Sequence, residues 1–167
     1  MFPPNRHWQG GTTLVEAMIA AAISALFLGS LFAMNTSSMA TIKMSRDVAC
    51  VSQVLQQRIE SLRIANWHQI TDAVWLRDNL LNVDAAGAGQ LKDASETITL
   101  IPYGSSTSGN TKLTRAGSLA TIVNLNSALL AESALKVIWA VTYTGTPNNR
   151  STTRQTVAIL AKGGVAK

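Results

Sequence analysis

From Thr12 to Ile42 the chain runs for 31 residues with a single charged side chain, Glu16, and no proline. The densest part, Ala17–Met34, reads AMIAAAISALFLGSLFAM and is broken only by Ser24, Gly29 and Ser30. About 20 apolar residues, each rising 1.5 Å along a helix, span the roughly 30 Å core of a bilayer. Ala, Leu and Met are also strong helix formers. The stretch therefore predicts a membrane-crossing helix over 12–34, with Thr12 or Thr13 as its N-cap. The whole-chain figures agree with one very apolar segment joined to an ordinary polar body. Of 167 residues, room for one domain, 47% are hydrophobic and only 14% charged, against roughly 25% charged in an average soluble domain. That balance excludes a disordered chain, and a lone cysteine, Cys50, excludes a disulfide-stapled mini-protein.

Residues 1–11 form a short leader with one basic side chain, Arg6, and no acid. Positive charge before a first span holds that end in the cytoplasm and places the body outside it. A secretory signal cut near Ala20–Ala22 is the plain alternative. Two features weigh against it: the apolar run continues to Met34, and Glu16 lies inside it. A carboxylate within a membrane helix costs on the order of 2.5–3.5 kcal/mol on insertion scales, and such residues normally have a partner. The span offers no basic side chain near Glu16. The partner must come from elsewhere, and an amino terminus created by proteolysis just upstream is one source.

The segment Gly10-Gly11-Thr12-Thr13-Leu14-Val15-Glu16 resembles the type IV prepilin signature. The resemblance implies a prepilin peptidase that cuts between Gly11 and Thr12, with N-methylation of the new Thr12 amine. Glu16 becomes the fifth mature residue, expected to pair with the amine of a neighbouring subunit during assembly. The first mature residue is Thr12, where the family often has Phe. Leu14–Ala20, LVEAMIA, is also similar to the opening of minor pilins of the V type and minor pseudopilins of the I type. Gln53–Arg63, QVLQQRIESLR, resembles a segment that follows in many of them. The likeness implies a structural subunit of a type IV pilus or type II secretion pseudopilus. It would sit in the bacterial inner membrane by a single span, its body outside the cytoplasm, before entering the filament. Its partners would be other pilin subunits, the inner-membrane assembly platform and the membrane itself.

Beyond the span the helix is expected to continue over 35–66 as an amphipathic half. Met44, Val48, Val51, Leu55, Ile59 and Leu62 recur at steps of three and four and mark one face. Lys43, Arg46, Asp47, Gln53, Gln56 and Arg58 are assigned to the opposite faces. Gly29 is the weak point of the helix. Residues 67–167 form the body. Thr71 is read as capping a short helix, with Ile70, Val74 and Leu81 on one side, and Asp84–Lys92 as a loop. Strands are expected at Glu96–Ile101, Leu119–Leu125 and Leu135–Tyr143. A last strand sets Thr153, Gln155, Val157, Ile159 and Ala161 on one face, paired with its predecessor as an antiparallel hairpin. A long N-terminal helix on a small antiparallel sheet is an α+β fold, as the pilin resemblance implies.

No catalytic, cofactor-binding or metal-binding pattern is present: no HExxH, GxSxG, P-loop or paired cysteines. The chain is therefore read as a non-enzyme without cofactor. His68 reads as a polar residue at a helix end, and Asp72, Asp78 and Asp84 as caps or a charged face rather than a calcium site. Cys50 is expected to pack. Without the leader the side chains number 13 basic and 9 acidic, dispersed except for Arg150 and Arg154 with Lys162 and Lys167 beyond. A solvated face explains that cluster. The second functional reading is a pilin-like binding module whose body contacts DNA or a surface.

Overall fold

A computed structural model of the chain describes residues 13–104, 108–145 and 149–163. The chain divides into two units, one ending at Thr41 and one beginning at Ile42. One helix, α1, runs without interruption from Leu14 to Ile64. Gly29 does not break it, and a Cβ there would meet no atom within 4 Å. Thr13 is the N-terminal cap: its Oγ1 accepts from the Glu16 backbone N–H at 3.3 Å. The two cap alternatives are thus resolved in favour of Thr13, and Thr12 lies outside the described residues.

In the second unit α1 buries Val51, Val54, Leu55, Arg58, Ile59 and Leu62. This corrects the sequence expectation twice. Met44 is 55% exposed, so the inward face starts later. Arg58, assigned to the solvent side, is 3% exposed. Its spacing fits the stripe from Val51 through Leu62; only its chemistry suggests a solvated position.

After Ile64 the chain turns through α2 (Trp67–Thr71), α3 (Ala73–Trp75) and a π-helical stretch, Leu76–Leu81. Thr71 is not the cap. Its hydroxyl donates to the Trp67 carbonyl at 2.9 Å from inside α2. Asn66 caps α2 in a reciprocal box with Gln69, and the Asp72 carboxylate takes the Val74 N–H at 2.8 Å, both satisfying orphan donors of a first turn. Val74 points outward; Leu76, Leu80 and Leu81 are the buried residues. The following loop contains a single 3-10 turn, Ala88–Gln90.

Five strands follow: β1 (Ser95–Pro102), β2 (Thr111–Ala116), β3 (Leu119–Asn124), β4 (Ala134–Gly145) and β5 (Arg150–Ala161). They form one antiparallel sheet in the order β3-β2-β1-β4-β5. The fold is α+β. Strand β2 is an addition to the strands expected from sequence. TKLTRA holds one large apolar residue, Leu113, and pairing with β1 on one side and β3 on the other makes it a strand. The β4–β5 hairpin is as expected, but β5 faces the other way. Val157 and Ile159 are 50% and 55% exposed, while Ala158 and Leu160 pack on the core.

The core lies on one face of the sheet. Leu135, Val137, Trp139, Val141 and Tyr143 all point inward from β4 and are at most 4% exposed. They meet Ile98, Leu100 and Leu113 and the helical residues in one apolar cluster. Each fully buried Leu or Val contributes roughly 1.5–3 kcal/mol. Cys50 packs against this cluster, its Sγ 3.4 Å from Gln90 Oε1, and is a free thiol.

Candidate functional site

Two features stand out: the exposed apolar length of α1 and a buried ionic cluster in the body. Every large apolar side chain of α1 from Leu14 to Met44 is between 47% and 79% exposed. A helix apolar on all sides is stable only in lipid or among other helices. Among the described residues, α1 is the one helix long and apolar enough to cross a membrane. Most of its hydroxyls are already satisfied from within. Ser24, Ser30, Thr36, Ser38 and Thr41 each donate to a carbonyl one turn back, at 2.7–3.1 Å. That is what a lipid-like surrounding demands of every polar group.

The Glu16 carboxylate is not satisfied in this way. It sits in the first turn of α1, and no hydrogen bond or ion pair to its carboxylate is formed among the described residues. Thr13-Leu14-Val15-Glu16 has the T-x-x-E spacing of a capping box, but only the Thr13 arm is made. An acid in the first turn is favoured by the helix dipole, which gives Glu16 an ordinary structural use. Gly11 and Thr12, the expected cleavage and methylation positions, lie outside the described residues.

The buried cluster has no counterpart among the sequence expectations. Glu96 enters from β1, in the inward register of Ile98 and Leu100. Arg58 from α1 meets it with two parallel bonds, Nε to Oε2 and Nη2 to Oε1, both 2.9 Å. The indole N–H of Trp139 donates to Oε2 at 3.2 Å, and the Arg58 guanidinium lies 5.6 Å from that ring's centre. Arg58 also donates to the carbonyls of Leu80, at 2.6 Å, and Val83, at 2.8 Å. The Leu80 carbonyl belongs to the last turn of the π-helical stretch, so that helix end is capped by a residue of α1. Arg115 from β2 completes the cluster. It bonds the carbonyls of Gly117 and Val83, pairs with Asp84 and lies 3.7 Å from Glu96 Oε1. Two sequence signals point here: a glutamate at an inward strand position and an arginine at stripe spacing.

The cluster ties helix, loop and sheet together. A cleft of about 770 Å³ opens beside it, lined by Asp84, Asp93, Glu96 and Arg115 among others. Three of these four side chains are engaged with one another, and Asp93 accepts from the Thr144 hydroxyl at 3.1 Å. Each of these four charged side chains thus has a hydrogen-bond or ionic partner within the body. His68 lies exposed in α2. Asp72 and Asp78 have their own local partners, Val74 N–H and Arg77. Among the described residues no group of three His, Cys, Asp or Glu could hold a metal ion.

The hydrogen bond from Arg115, and its charge, hold the Asp84 carboxyl below its ordinary pKa of 3.8. A carboxyl lowered by folding adds stability that is fully present above the unfolded pKa and is lost as pH falls through the folded one. Asp84→Asn is therefore expected to lower the melting midpoint slightly at neutral pH. The gap to the unmodified protein should narrow as pH falls below the ordinary carboxyl pKa of 3.8, which thermal unfolding across a range of pH would check. A gap that stayed constant down to strongly acid pH would remove the ionic contribution.

Compared with protein-family models, curated proteins and solved structures, the chain matches none of them.

Proposed function

We propose that the chain is a structural subunit, a minor pilin or minor pseudopilin, of a type IV pilus or a type II secretion pseudopilus. It is made as a precursor in the inner membrane with its body outside the cytoplasm. A prepilin peptidase cuts it after Gly11, and it assembles through its N-terminal helix with other subunits on an inner-membrane platform. One observation carries this reading. Glu16 stands in the first turn of a long helix whose large apolar side chains from Leu14 to Met44 are exposed, four residues after the Thr12 of Gly10-Gly11-Thr12. Lipid accommodates the helix before assembly, and neighbouring helices take the place of lipid afterwards. The amine released at Thr12 is the counter-charge that the helix itself does not supply. Neutralising the pair lowers the cost of holding Glu16 in a dry filament core.

Mass spectrometry of the mature protein from bacterial membranes tests the reading. The expected mature chain starts at Thr12, with its amine methylated. A chain that keeps its leader, or starts near Ala21, would overturn it. The basic residues Arg150, Arg154 and Lys162 favour a second reading, a pilin-like module that contacts DNA or a surface through its body.

A further inference from the structure

Residues 1–133 carry nine basic and nine acidic side chains, whereas residues 134–167 carry five basic and none acidic. The whole formal charge of +5 therefore resides in the last 34 residues, which are the β4–β5 hairpin and its tail. Within them β5 is an edge strand of 12 residues, paired to β4 on one side. Along its other side no strand lies among the described residues, so its outward N–H and C=O groups are a template for a further strand. Natural edges are usually short, bulged or covered; this one is long, and its twelve-pair register with β4 runs without a bulge.

Its side chains sort by face. Arg150, Arg154 and Lys162 have the same parity and are exposed, with no ion pair among the described residues. Val157 and Ile159 stand on the opposite face, half exposed. There Val157 lies beside Ile138, and Ile159 beside Lys136. At its C-terminal end the edge opens on a cleft of about 830 Å³ lined by Leu62, Trp67, Ile70 and Leu160, among others, with room for an apolar side chain.

We infer that β5 is a docking edge for an extended, acidic segment of a partner protein, which adds as a sixth strand. The partner strand would alternate, carboxylates toward Arg150 and Arg154 and β-branched apolar residues toward Val157 and Ile159. Main-chain hydrogen bonds would give affinity and the alternating side chains specificity. Charge selects the partner: a second copy of β5 would bring more arginine and no carboxylate. Nucleic acid fits less well. Binders of single strands stack bases on exposed aromatic side chains, whereas Trp139 and Tyr143 of the hairpin are buried and Val157 and Ile159 offer a phosphate nothing. Strand addition at β5 does not depend on the pilin reading.

The full chain in zwitterionic nanodiscs, titrated into a fluorescein-labelled peptide of ten alternating Glu and Val residues, tests it by anisotropy, with empty nanodiscs subtracted. Saturable binding at low salt is expected. N-methylation of every second residue of the peptide should weaken it by about tenfold or more, because strand addition needs those N–H groups. Arg150→Glu/Arg154→Glu should weaken it roughly tenfold at low salt and less at high salt. Val157→Thr/Ile159→Thr, which keeps β-branching, should weaken it several-fold. No saturable binding would overturn the proposal. So would insensitivity to N-methylation, or equal affinity for single-stranded DNA, since either would mark a polyanion surface. The methylated peptide is titrated against the unmodified protein, so strand addition is tested even where a variant fails to fold.

Discussion

Arg58→Met is expected to destabilise the body by about 3–5 kcal/mol, the usual cost of removing one partner from a buried ion pair. Its unfolding midpoint should fall by roughly 10–20 °C. The loss has several parts. Glu96, 4% exposed, keeps the Trp139 indole and the more distant Arg115 but loses its two bonds at 2.9 Å. The Leu80 carbonyl loses its donor and the Val83 carbonyl keeps only Arg115, so a helix end becomes partly unsatisfied inside the protein. Methionine replaces much of the side-chain volume, so a cavity contributes little. Near-UV circular dichroism of the full chain in detergent would follow the transition through the packed Trp139. The double substitution Arg58→Met/Glu96→Leu should be less damaging than the two singles added together, by about 0.5–3 kcal/mol, since no buried carboxylate remains unpaired. If Arg58→Met costs under about 1 kcal/mol, the cluster is incidental to stability.

Glu16→Ala and Glu16→Gln are expected to leave a chain that inserts in the membrane and is cut after Gly11 but enters filaments poorly. Filament incorporation should fall roughly tenfold or more, equivalent to about 1.4 kcal/mol in the docking equilibrium. The glutamine variant separates the two roles that the geometry allows. It keeps a side chain able to complete a capping box with Thr13 and removes the charge. If Glu16 serves to pair with a neighbour's amine, both variants fail alike. If it serves only to start the helix, glutamine assembles normally and alanine is mildly impaired. Immunoblots of sheared filaments against the membrane fraction, with the N-terminus checked by mass spectrometry, would read both outcomes. Normal incorporation of both variants would refute the pairing role.

The long helix and the β4–β5 hairpin are legible in the sequence because their signals are local. Thirty-one residues with one charge need no distant partner to be helical in an apolar setting, and five alternating inward residues from Leu135 to Tyr143 declare a strand by themselves. Short-range caps are harder to read. Thr71 has the chemistry of a cap, but Asn66 and Asp72 hold those positions, because each carries an oxygen that reaches a free N–H of the next turn. Strand β2 is invisible in the sequence, since TKLTRA has no pattern of its own until β1 pairs with it.

The orientation of β5 shows the same division. Its two faces are nearly equal in apolar content, with Val157 and Ile159 on one and Ala158 and Leu160 on the other. Composition cannot choose between them; the register with β4 does, by placing Leu160 opposite Leu135. Arg58 is the sharpest case. By type it belongs in water, and its true position depends on a glutamate 38 residues away and on carbonyls of a helix end. A charge is buried only when its partner and its hydrogen bonds are supplied together, and in this chain they come from α1, β1, β4 and the turn at Leu80–Val83. By itself the sequence determined where the apolar helix lies, where its one acid stands and that a hairpin closes the chain, because each rests on neighbours within a turn or a strand. Which arginine enters the core, which face of β5 meets solvent and which peptide becomes β2 were decided by tertiary structure, because each depends on a partner that only folding brings near.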